Sequence, residues 1–476
     1  MIFYLVSFIL KSYIGINAFQ RYHYEYQSFI NFVLRKWFIL FSVSIIFFIS
    51  FFHAPFIVMT IPFLIIQLLY IKNKTKVYLK FTKRIFRFFI IYLLFNLLLM
   101  FYLPFYLLDI IILPSILFCD FILKPYEKLL NKKYIKEAST KVNCLEGVKI
   151  AITGSYGKTS TKHYLANVLK EKYIVKFSPK SFNTPLGLSS FINKTDFSFV
   201  DFIVYEFGAR RKGDIKELKE LFNYDIAIVT GIGAMHIDKF GDIDTIVKEK
   251  MSLVNGLSKR QIAILNYENN YIREYVLVGT RYTYGFEYGD YQARNVVVSI
   301  NGSKFDFFHN DNYIDSFTIG LLGRGAVLNC LPVLIILSIY KQDLKLIEKV
   351  EMVDNRLSLR KISDYYILDD GYNSNILGAE YALEVLSTHQ HKRFVITPGF
   401  SEMDKVKEMM SKKYASKIDE CCDCAILVKN DFTKLLAKHI GKCGIYFVDS
   451  FIEGFNLFLK LKERESILLI ENDLLE

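Results

Sequence analysis

The sequence predicts an α-helical membrane region followed by two α/β domains. Long apolar runs with almost no charge follow one another between residues 1 and 124, and each is about long enough to cross hydrocarbon. Beyond residue 146, short apolar runs alternate with helical patterns, which is typical of a largely parallel sheet covered by helices. We therefore divide the chain into a transmembrane region (1–124), a charged linker (125–145), a central P-loop α/β domain with a parallel sheet (146–340) and a C-terminal Rossmann-like α/β domain (341–476).

The membrane region contains about five apolar runs that we expect to be spans: 2–18, 37–52, 56–71, 85–103 and 105–123. Lysines and arginines fall between and after these runs, whereas the tight turns at 53–55 and 104 carry none. Since positively charged loops stay on the cytosolic side, we expect a multi-pass protein of the cell (inner) membrane whose two α/β domains are cytoplasmic. The first run is broken by Lys11, and without it the remaining topology is unchanged. One buried helical domain is the alternative.

Short apolar runs mark the predicted strands of the two α/β domains. In the central domain they lie at 148–153, 199–206, 225–230 and 261–266, and in the C-terminal domain at 365–370, 394–397, 425–429 and 445–449. Residues 281–319 differ, because they are aromatic, alternating and interrupted by turns at Gly289-Asp290 and Asn301-Gly302. This stretch predicts a small antiparallel excursion.

The stretch 148–164, VKIAITGSYGKTSTKHY, is the centre of the functional argument. A glycine-containing turn between a strand and a helix directs backbone N–H groups and the positive end of the helix dipole to one point, which favours phosphate. Lys158 would reach the terminal phosphates of a nucleotide, and the Thr159 hydroxyl would hold Mg²⁺. Ile152 stands where the general P-loop has its first glycine, so the pattern alone also fits a tight turn with a surface lysine.

Composition favours a membrane surface over nucleic acid as the partner. Formal net charge is +12 and mean hydropathy is +0.24, and the basic residues cluster beside apolar runs. The seven cysteines, an odd number, lie scattered along the chain. The run Cys421-Cys422-Asp423-Cys424 has no histidine close by, so we expect buried free thiols rather than a metal site, in keeping with a reducing cytosol.

Six segments then occur in an order that resembles the Mur ligases, the enzymes that join amino acids to peptidoglycan precursors. They are ITGSYGKTSTK (152–162), SFNTPLGLSSF (181–191), VYEFGARRKGDI (204–215), GAMHIDKFGDIDTIVKEK (233–250), DNRLSL (354–359) and ILDDGYNSN (367–375). The pattern is most similar to the branch that adds D-alanyl-D-alanine. The resemblance covers roughly residues 148–450, and the ordered set is far more specific than any single segment.

The resemblance implies a reaction and its cofactors, ATP and Mg²⁺. The γ-phosphate of ATP moves onto a carboxylate, and an amine attacks the resulting acyl phosphate to give an amide, ADP and phosphate. Because several anions meet, catalysis is mainly positioning and neutralisation of charge. Closure of the C-terminal domain would bring its residues onto the phosphates and exclude water.

The resemblance also implies the site residues. The ATP-binding set is Gly154, Ser155, Tyr156, Gly157, Lys158, Thr159, Ser160, Asn329, Arg356 and Asp370. The ligands of two Mg²⁺ ions are Thr159, Glu206, His236 and Lys250, where Lys250 would act as a carbamate formed with CO₂; Lys248 is its neighbouring rival. The catalytic residues are Lys158, His236, Lys250 and Arg356, and the substrate-binding residues are Asn183, Thr184, Tyr372, Asn373 and Asn375.

Each of these residues also has an ordinary structural interpretation. Lys250 could be a solvated helix lysine, His236 a capping or core histidine, Arg356 a surface arginine and Asn329 a helix cap. The polar run 370–375 could be an Asx-rich turn. Glu206 is harder to explain in this way, because a carboxylate that ends an apolar strand needs a partner.

Two departures from the family pattern bear on function. Gly325-Ala326 replace a usual His-Asn pair, and apolar runs stand where a domain that grips the UDP part of the substrate is expected. We predict an ATP-dependent amide-bond ligase at the cytosolic face of the membrane. Its partners would be a nucleotide- or lipid-linked cell-wall precursor, an amino acid or dipeptide, and membrane lipid, but no nucleic acid. The alternative is a catalytically silent nucleotide-binding membrane scaffold for cell-wall synthesis.

Overall fold

The structure is a computed structural model that describes residues 2–22, 24–27, 29–34, 79–103, 105–277, 279–353, 356–371, 375–400 and 406–472. The chain forms two compact units, Met1–Lys133 and Tyr134–Glu476. The predicted spans 37–52 and 56–71 lie outside the described residues.

The first unit contains the helices α1 (Ile2–Arg21), α2 (Lys83–Tyr102) and most of α3 (Phe105–Asn143). Aromatic and aliphatic side chains from these helices, together with Phe29 and Phe32, form its core. Two ion pairs join α2 to α3: Arg84 lies 3.0 Å from Asp120, and Arg87 lies 2.6 Å from Glu127. The charged stretch 125–145, predicted to be a linker, is mostly the continuation of α3.

Of the helices that the structure describes, α2 is the one long and apolar enough to cross a membrane. Length and composition of one helix do not by themselves place a protein in a membrane, so the prediction of five spans is not supported as a whole. The predicted first and last spans fall on α1 and α3, and neither of these helices meets the same criterion.

The second unit contains two sheets. The strands of the first are β1 (Val148–Thr153), β2 (Val175–Phe177), β3 (Phe202–Glu206), β4 (Ile226–Val229), β5 (Ile262–Asn266), β6 (Arg281–Gly285), β7 (Tyr291–Ser299), β8 (Gly302–His309) and β9 (Asn312–Ile319). Their order across the sheet is β2-β3-β1-β4-β5-β6-β7-β8-β9. The strands are parallel up to β7, and β8 and β9 are antiparallel additions. The antiparallel excursion predicted for 281–319 is thus confirmed from β7 onward, whereas β6 pairs with β7 in parallel.

Helices cover both faces of this sheet. They are α4 (Lys158–Leu169), α5 (Pro185–Lys194), α6 (Asp214–Leu221), α7 (Ile237–Phe240), α8 (Ile243–Met251), α9 (Asn270–Arg273) and α10 (Arg324–Ile339), with a 3₁₀ helix at Leu344–Lys349. Strand β1 is buried on both sides: Ile150 and Ile152 pack with α4 and α10, whereas Ala151 packs in the opposite layer. A parallel strand buried on both faces explains why its sequence is a continuous apolar run.

The second sheet has the order β10-β11-β15-β12-β13-β14. Its elements are β10 (Ser358–Ile362), β11 (Tyr365–Asp370), α11 (Ile376–Ser387), β12 (Arg393–Thr397), α12 (Lys407–Cys421), β13 (Cys424–Val428), α13 (Asp431–Ala437), β14 (Gly444–Val448), α14 (Phe451–Leu461) and β15 (Ile467–Glu471). Only β10 is antiparallel to its neighbour. Helices α11 to α13 pack on one face and α14 on the other, which is the predicted α/β arrangement.

Candidate active site

Three loops meet at the carboxyl edge of the first sheet. Strand β1 lies between β3 and β4 in parallel register, so the loops that follow these strands are neighbours. Thr153 donates a hydrogen bond from Oγ1 to Phe207 O at 2.9 Å. On the other side, Ser155 Oγ lies 3.1 Å from Gly233 O. These contacts hold the phosphate loop, the end of β3 and the loop after β4 together.

The phosphate loop depends on two glycines. Gly154 and Gly157 have φ values of +151° and +82°, which side chains rarely allow. A β-carbon at Gly154 would also lie 2.3 Å from Thr230 Oγ1, and one at Gly157 would lie 2.6 Å from Asn329 Oδ1. Ile152, which replaces the first glycine of the general motif, is still within β1 and faces the core. Its presence therefore does not disturb the loop.

Lys158 begins α4 and turns back onto the loop. Its Nζ donates to Gly154 O at 2.7 Å and to Ser155 O at 3.3 Å. Burial lowers the pKa of this amine, the positive charges of Arg356 and Lys162 lower it further, and Glu206 opposes them. The amine thus occupies the place where a phosphate bound to the loop would need a cation.

Glu206 ends β3 and is 2% exposed. Its Oε2 accepts a hydrogen bond from Thr159 Oγ1 at 3.0 Å, and its Oε1 accepts one from Asn183 Nδ2 at 3.2 Å. Burial raises the pKa of the carboxyl group, but Lys158 and Lys162 outweigh burial, and the pKa is lowered. The structure therefore brings together Thr159 and Glu206, which the resemblance implied to be ligands of one Mg²⁺, and adds Asn183, which the resemblance implied to bind substrate.

Lys162 is a site residue that the sequence analysis missed. It is 0% exposed, and its Nζ lies 3.2 Å from Glu206 Oε2 and 2.5 Å from Lys180 O. A signal for it existed, because Lys162 follows Lys158 by four residues in a predicted helix and must lie on the same face. Its charge belongs to the same cluster of charged groups as Lys158 and Glu206.

Lys250 is buried at the end of α8, with 4% of its surface exposed. Its Nζ donates to Ala209 O at 3.3 Å. Burial, reinforced by Lys158, lowers its pKa to about 7. The neighbouring Glu249 accepts hydrogen bonds from Gly213 N and Ile215 N, so α8 holds the loop after β3. The rival Lys248 is exposed, so Lys250 is the better candidate for the carbamate.

His236 lies in the loop after β4, three residues beyond the glycine that contacts Ser155. It is half-buried at the N-terminus of α7 and has a left-handed backbone with φ of +59°. The loop that carries His236 therefore contacts the phosphate loop through Gly233. The role of His236 as a metal ligand stays a prediction.

A cleft next to the phosphate loop collects residues from both sheets. Gly157, Ser160 and Asn329 line it from one side, and Arg356, Asp370 and Asn375 line it from the other. Asp370 Oδ1 accepts a hydrogen bond from Leu357 N at 3.1 Å, and Asn329 Oδ1 accepts one from Thr161 Oγ1 at 3.4 Å. These residues, predicted to bind ATP or substrate, share one cleft.

The predicted substrate residues are only partly described. Thr184 and Asn375 cap α5 and α11, accepting hydrogen bonds from Gly187 N at 3.2 Å and Gly378 N at 2.9 Å. Asn183 reaches Glu206, whereas Tyr372 and Asn373 lie outside the described residues. Binding of substrate by these side chains therefore stays a prediction.

The oxygen donors suit Mg²⁺ at one position. Glu206 and the Thr159 hydroxyl provide hard oxygens at a buried point beside the phosphate loop, which is a normal environment for Mg²⁺ bound with nucleotide. The unmodified Lys250 amine cannot be a ligand while protonated. No group of three or more His, Cys, Asp or Glu side chains able to hold a metal occurs among the described residues. Cys421, Cys422 and Cys424 are buried free thiols, as predicted.

The profile of the Mur ligase middle domain matches residues 152–337. This segment of the chain is therefore similar to a Mur ligase middle domain. The UDP-N-acetylmuramoyl-tripeptide–D-alanyl-D-alanine ligase of Bacillus subtilis is 26% identical over 355 residues, covering 73% of this chain and 72% of the relative. The enzyme of the same name from Rickettsia prowazekii is 29% identical, and the match covers 50% of this chain but only 55% of the relative.

A solved structure shows the same fold. The MurF ligase from Thermotoga maritima in complex with ADP superposes with a TM-score of 0.65 at 22% identity, over 72% of this chain and 80% of that one. The chain is thus similar to ligases of the Mur type, both over its middle segment and over about three quarters of its length. The matched segment 152–337 includes Lys158, Glu206, His236 and Lys250.

Proposed function

We propose that this Mur-type ligase joins an amino acid or dipeptide to a nucleotide- or lipid-linked cell-wall precursor, using ATP and Mg²⁺ and an acyl-phosphate intermediate. One observation carries the proposal: the 3.0 Å hydrogen bond from Thr159 to Glu206 joins the hydroxyl that follows the phosphate lysine to a buried carboxylate. Lys250 adds support, because it is close enough to Lys158 and Glu206 for their charges to affect its pKa.

The residues fit the two steps of such a reaction. In the first, an oxygen of the acceptor carboxylate attacks the γ-phosphorus and ADP leaves, while Lys158 at the phosphate loop and Arg356 in the cleft would neutralise the charge of the transferred group. In the second, the amine nitrogen attacks the acyl carbon, inorganic phosphate leaves and the nitrogen loses a proton. Mg²⁺ held by Thr159 and Glu206 would neutralise phosphate charge.

Lys250 is suited to carbamate formation. A lysine with a pKa of about 7 has a substantial neutral fraction near neutral pH, unlike an ordinary lysine, and only a neutral amine can attack the carbon of CO₂. The nitrogen then loses a proton and the side chain ends in an anionic carboxylate. That group would provide the oxygen ligand that the unmodified amine cannot.

The membrane part of the proposal depends on α2. Its buried residues Ile85, Phe88, Tyr92 and Asn96 follow each other at helical spacing, and its outward side chains are also apolar, among them Phe86, Leu94 and Phe101. A helix on the surface of a water-soluble protein normally has a polar outer face. We propose that the first unit contacts lipid and that the second lies in the cytosol; the five-span topology stays a prediction.

Transfer of an isotope from the acceptor tests the chemistry. Acceptors with ¹⁸O in the carboxylate are incubated with the full-length protein, ATP, Mg²⁺ and a panel of amino acids and dipeptides. An acyl-phosphate route gives an amide product and one ¹⁸O atom in the released phosphate. Lys158→Met should abolish both, and Lys172→Met, at an exposed position just beyond α4, should abolish neither. Absence of acceptor-dependent ADP release with every acceptor would favour the silent scaffold.

Cys144 provides a test of location. It is exposed, whereas the other six cysteines are buried. A membrane-impermeant maleimide should label it in inside-out vesicles but not in intact cells. Labelling in intact cells, or recovery of the protein in the soluble fraction, would contradict the proposed location without affecting the proposed reaction.

A further inference from the structure

The cleft beside the phosphate loop has both polar and apolar lining. Gly157, Ser160 and Arg356 are among the residues suited to phosphates. Apolar and aromatic side chains line the same cleft, namely Leu321, Leu322, Leu357, Leu377 and Tyr381. A mostly apolar pocket with a few polar groups is suited to the flat base of a nucleotide whose phosphates bind nearby.

Tyr381 occupies the space next to Gly325, at the start of α10. A β-carbon at Gly325 would lie 2.7 Å from Cδ2, 3.3 Å from Cε2 and 3.5 Å from Cγ of the Tyr381 ring. Gly325 does not have a positive φ, so its backbone does not require glycine. The glycine is explained by the space that the ring needs, even though glycine is disfavoured within a helix.

The side chains of the other two tyrosines of the cleft are fixed by contacts with the first sheet region. The Tyr156 hydroxyl accepts a hydrogen bond from Asn269 Nδ2 at 2.9 Å, and its ring leaves no room for a β-carbon at Gly231. Tyr164 is 4% exposed and belongs to the core of the first sheet. Tyr381, in contrast, comes from α11, next to the second sheet, and reaches the cleft across Gly325.

We infer that Tyr381 is the stacking platform for the nucleobase of ATP, and that Gly325 is the space it requires. This inference rests on the proposed function, in which the cleft binds ATP. It also explains a departure in the sequence: the aromatic ring from α11 takes the place of the side chains that Gly325-Ala326 lack. Binding of the base then depends on a residue from the C-terminal sheet region, which links nucleotide affinity to the position of α11.

The test compares two ligands that share phosphates but not a base. Affinities of the full-length protein for Mg-ATP and for Mg-tripolyphosphate are measured by calorimetry. Tyr381→Leu should weaken ATP binding about tenfold, since stacking on an aromatic ring contributes this much or more. Its affinity for tripolyphosphate should not change. Tyr381→Phe keeps the ring and should bind both ligands like the wild type.

Gly325→Ala gives a second test without altering the tyrosine. The new β-carbon should displace the ring and weaken ATP binding several-fold, again without effect on tripolyphosphate. Gly320→Ala is the matched control, because Gly320 has an ordinary φ and no atom within 4 Å of an added β-carbon. Unchanged ATP affinity in Tyr381→Leu or Gly325→Ala, or an equal loss for both ligands, would overturn the inference. A wild-type protein that binds tripolyphosphate but not ATP would overturn the proposed function instead.

Discussion

Lys162 and Glu206 form a buried ion pair behind the phosphate loop, with Nζ 3.2 Å from Oε2. The same Nζ donates to Lys180 O at 2.5 Å, so one lysine ties the carboxylate of β3 to the segment that precedes Asn183. Charges this deep are stable only with partners. The pair therefore sets the position of Glu206 before any ligand binds.

Replacing Lys162 with Met should destabilise the fold. The variant keeps the hydrogen bonds from Thr159 and Asn183 to Glu206 and the nearby charge of Lys158. It removes one buried cation and the hydrogen bond to Lys180 O. We expect a loss of about 2 kcal/mol in the free energy of unfolding, measured by urea denaturation. Lys172→Met, at an exposed lysine just beyond the same helix, is the control. Equal stability of Lys162→Met and the control would contradict the structural role.

Gly208→Ala should disturb the same carboxylate from the other side. A β-carbon at Gly208 would lie 2.6 Å from Asn183 Cγ, and Gly208 N donates to Asn183 O at 2.8 Å. The clash should displace Asn183 from Glu206 and cost about 1–3 kcal/mol of stability, as overpacking usually does. Gly320→Ala, where space is open, should be neutral. If thermal denaturation gives both variants the same midpoint, the expected close contact between Gly208 and Asn183 is contradicted.

The phosphate loop could be predicted from sequence because its determinants are local. Gly154, Gly157 and the strand–turn–helix order lie within one short segment, and β1 ends at Thr153 as its apolar run predicted. Glu206 was also predictable, since a carboxylate at the end of a buried strand needs a partner. The structure identifies those partners as Thr159, Asn183 and Lys162.

Other features depend on contacts between distant parts of the chain. The Lys162 ammonium could not be paired with Glu206 until β3 was placed beside β1. Tyr381 and Gly325 lie on helices that pack against different sheets, so no local sequence pattern indicates that they are in contact. Strand β15 was not predicted either, although Ile467–Glu471 is central in the second sheet, because its short apolar run at the end of the chain has no following helix to mark it.

Lys250→Ala should abolish ligase activity, and small carboxylates should restore part of it. Without the side chain, no carbamate can form, but an added carboxylate such as propionate can enter the space and supply an oxygen. Turnover is measured as acceptor-dependent ADP release. Lys248→Ala, at the exposed neighbour, should keep full activity. Carbamate in the wild type should give a ¹³C signal after addition of ¹³C-bicarbonate; no such signal, together with an active Lys250→Ala variant, would exclude a role for this lysine.

Glu471 should make stability depend on pH in a defined window. It is fully buried on β15, beside Asp370 in the register of the sheet. Burial raises its pKa to about 8, although hydrogen bonds from Thr397 Oγ1 at 2.6 Å and Tyr414 Oη at 2.8 Å to Oε2 oppose the shift. The group's ordinary pKa is 4.5. Between these two values the folded protein holds a proton that the unfolded chain has lost, so this contribution to stability is complete below pH 4.5 and is lost as pH rises toward 8.

The variant Glu471→Gln isolates this effect, because the amide has nearly the same shape but does not titrate. Urea denaturation at pH 5, 6, 7 and 8 should show the wild type losing stability relative to the variant, by at most about 1.4 kcal/mol per pH unit. The exposed Glu463→Gln serves as the control and should follow the wild type at every pH. Parallel profiles for wild type and Glu471→Gln would mean that Glu471 is ionised in the folded protein and that a partner for its charge exists within the second sheet.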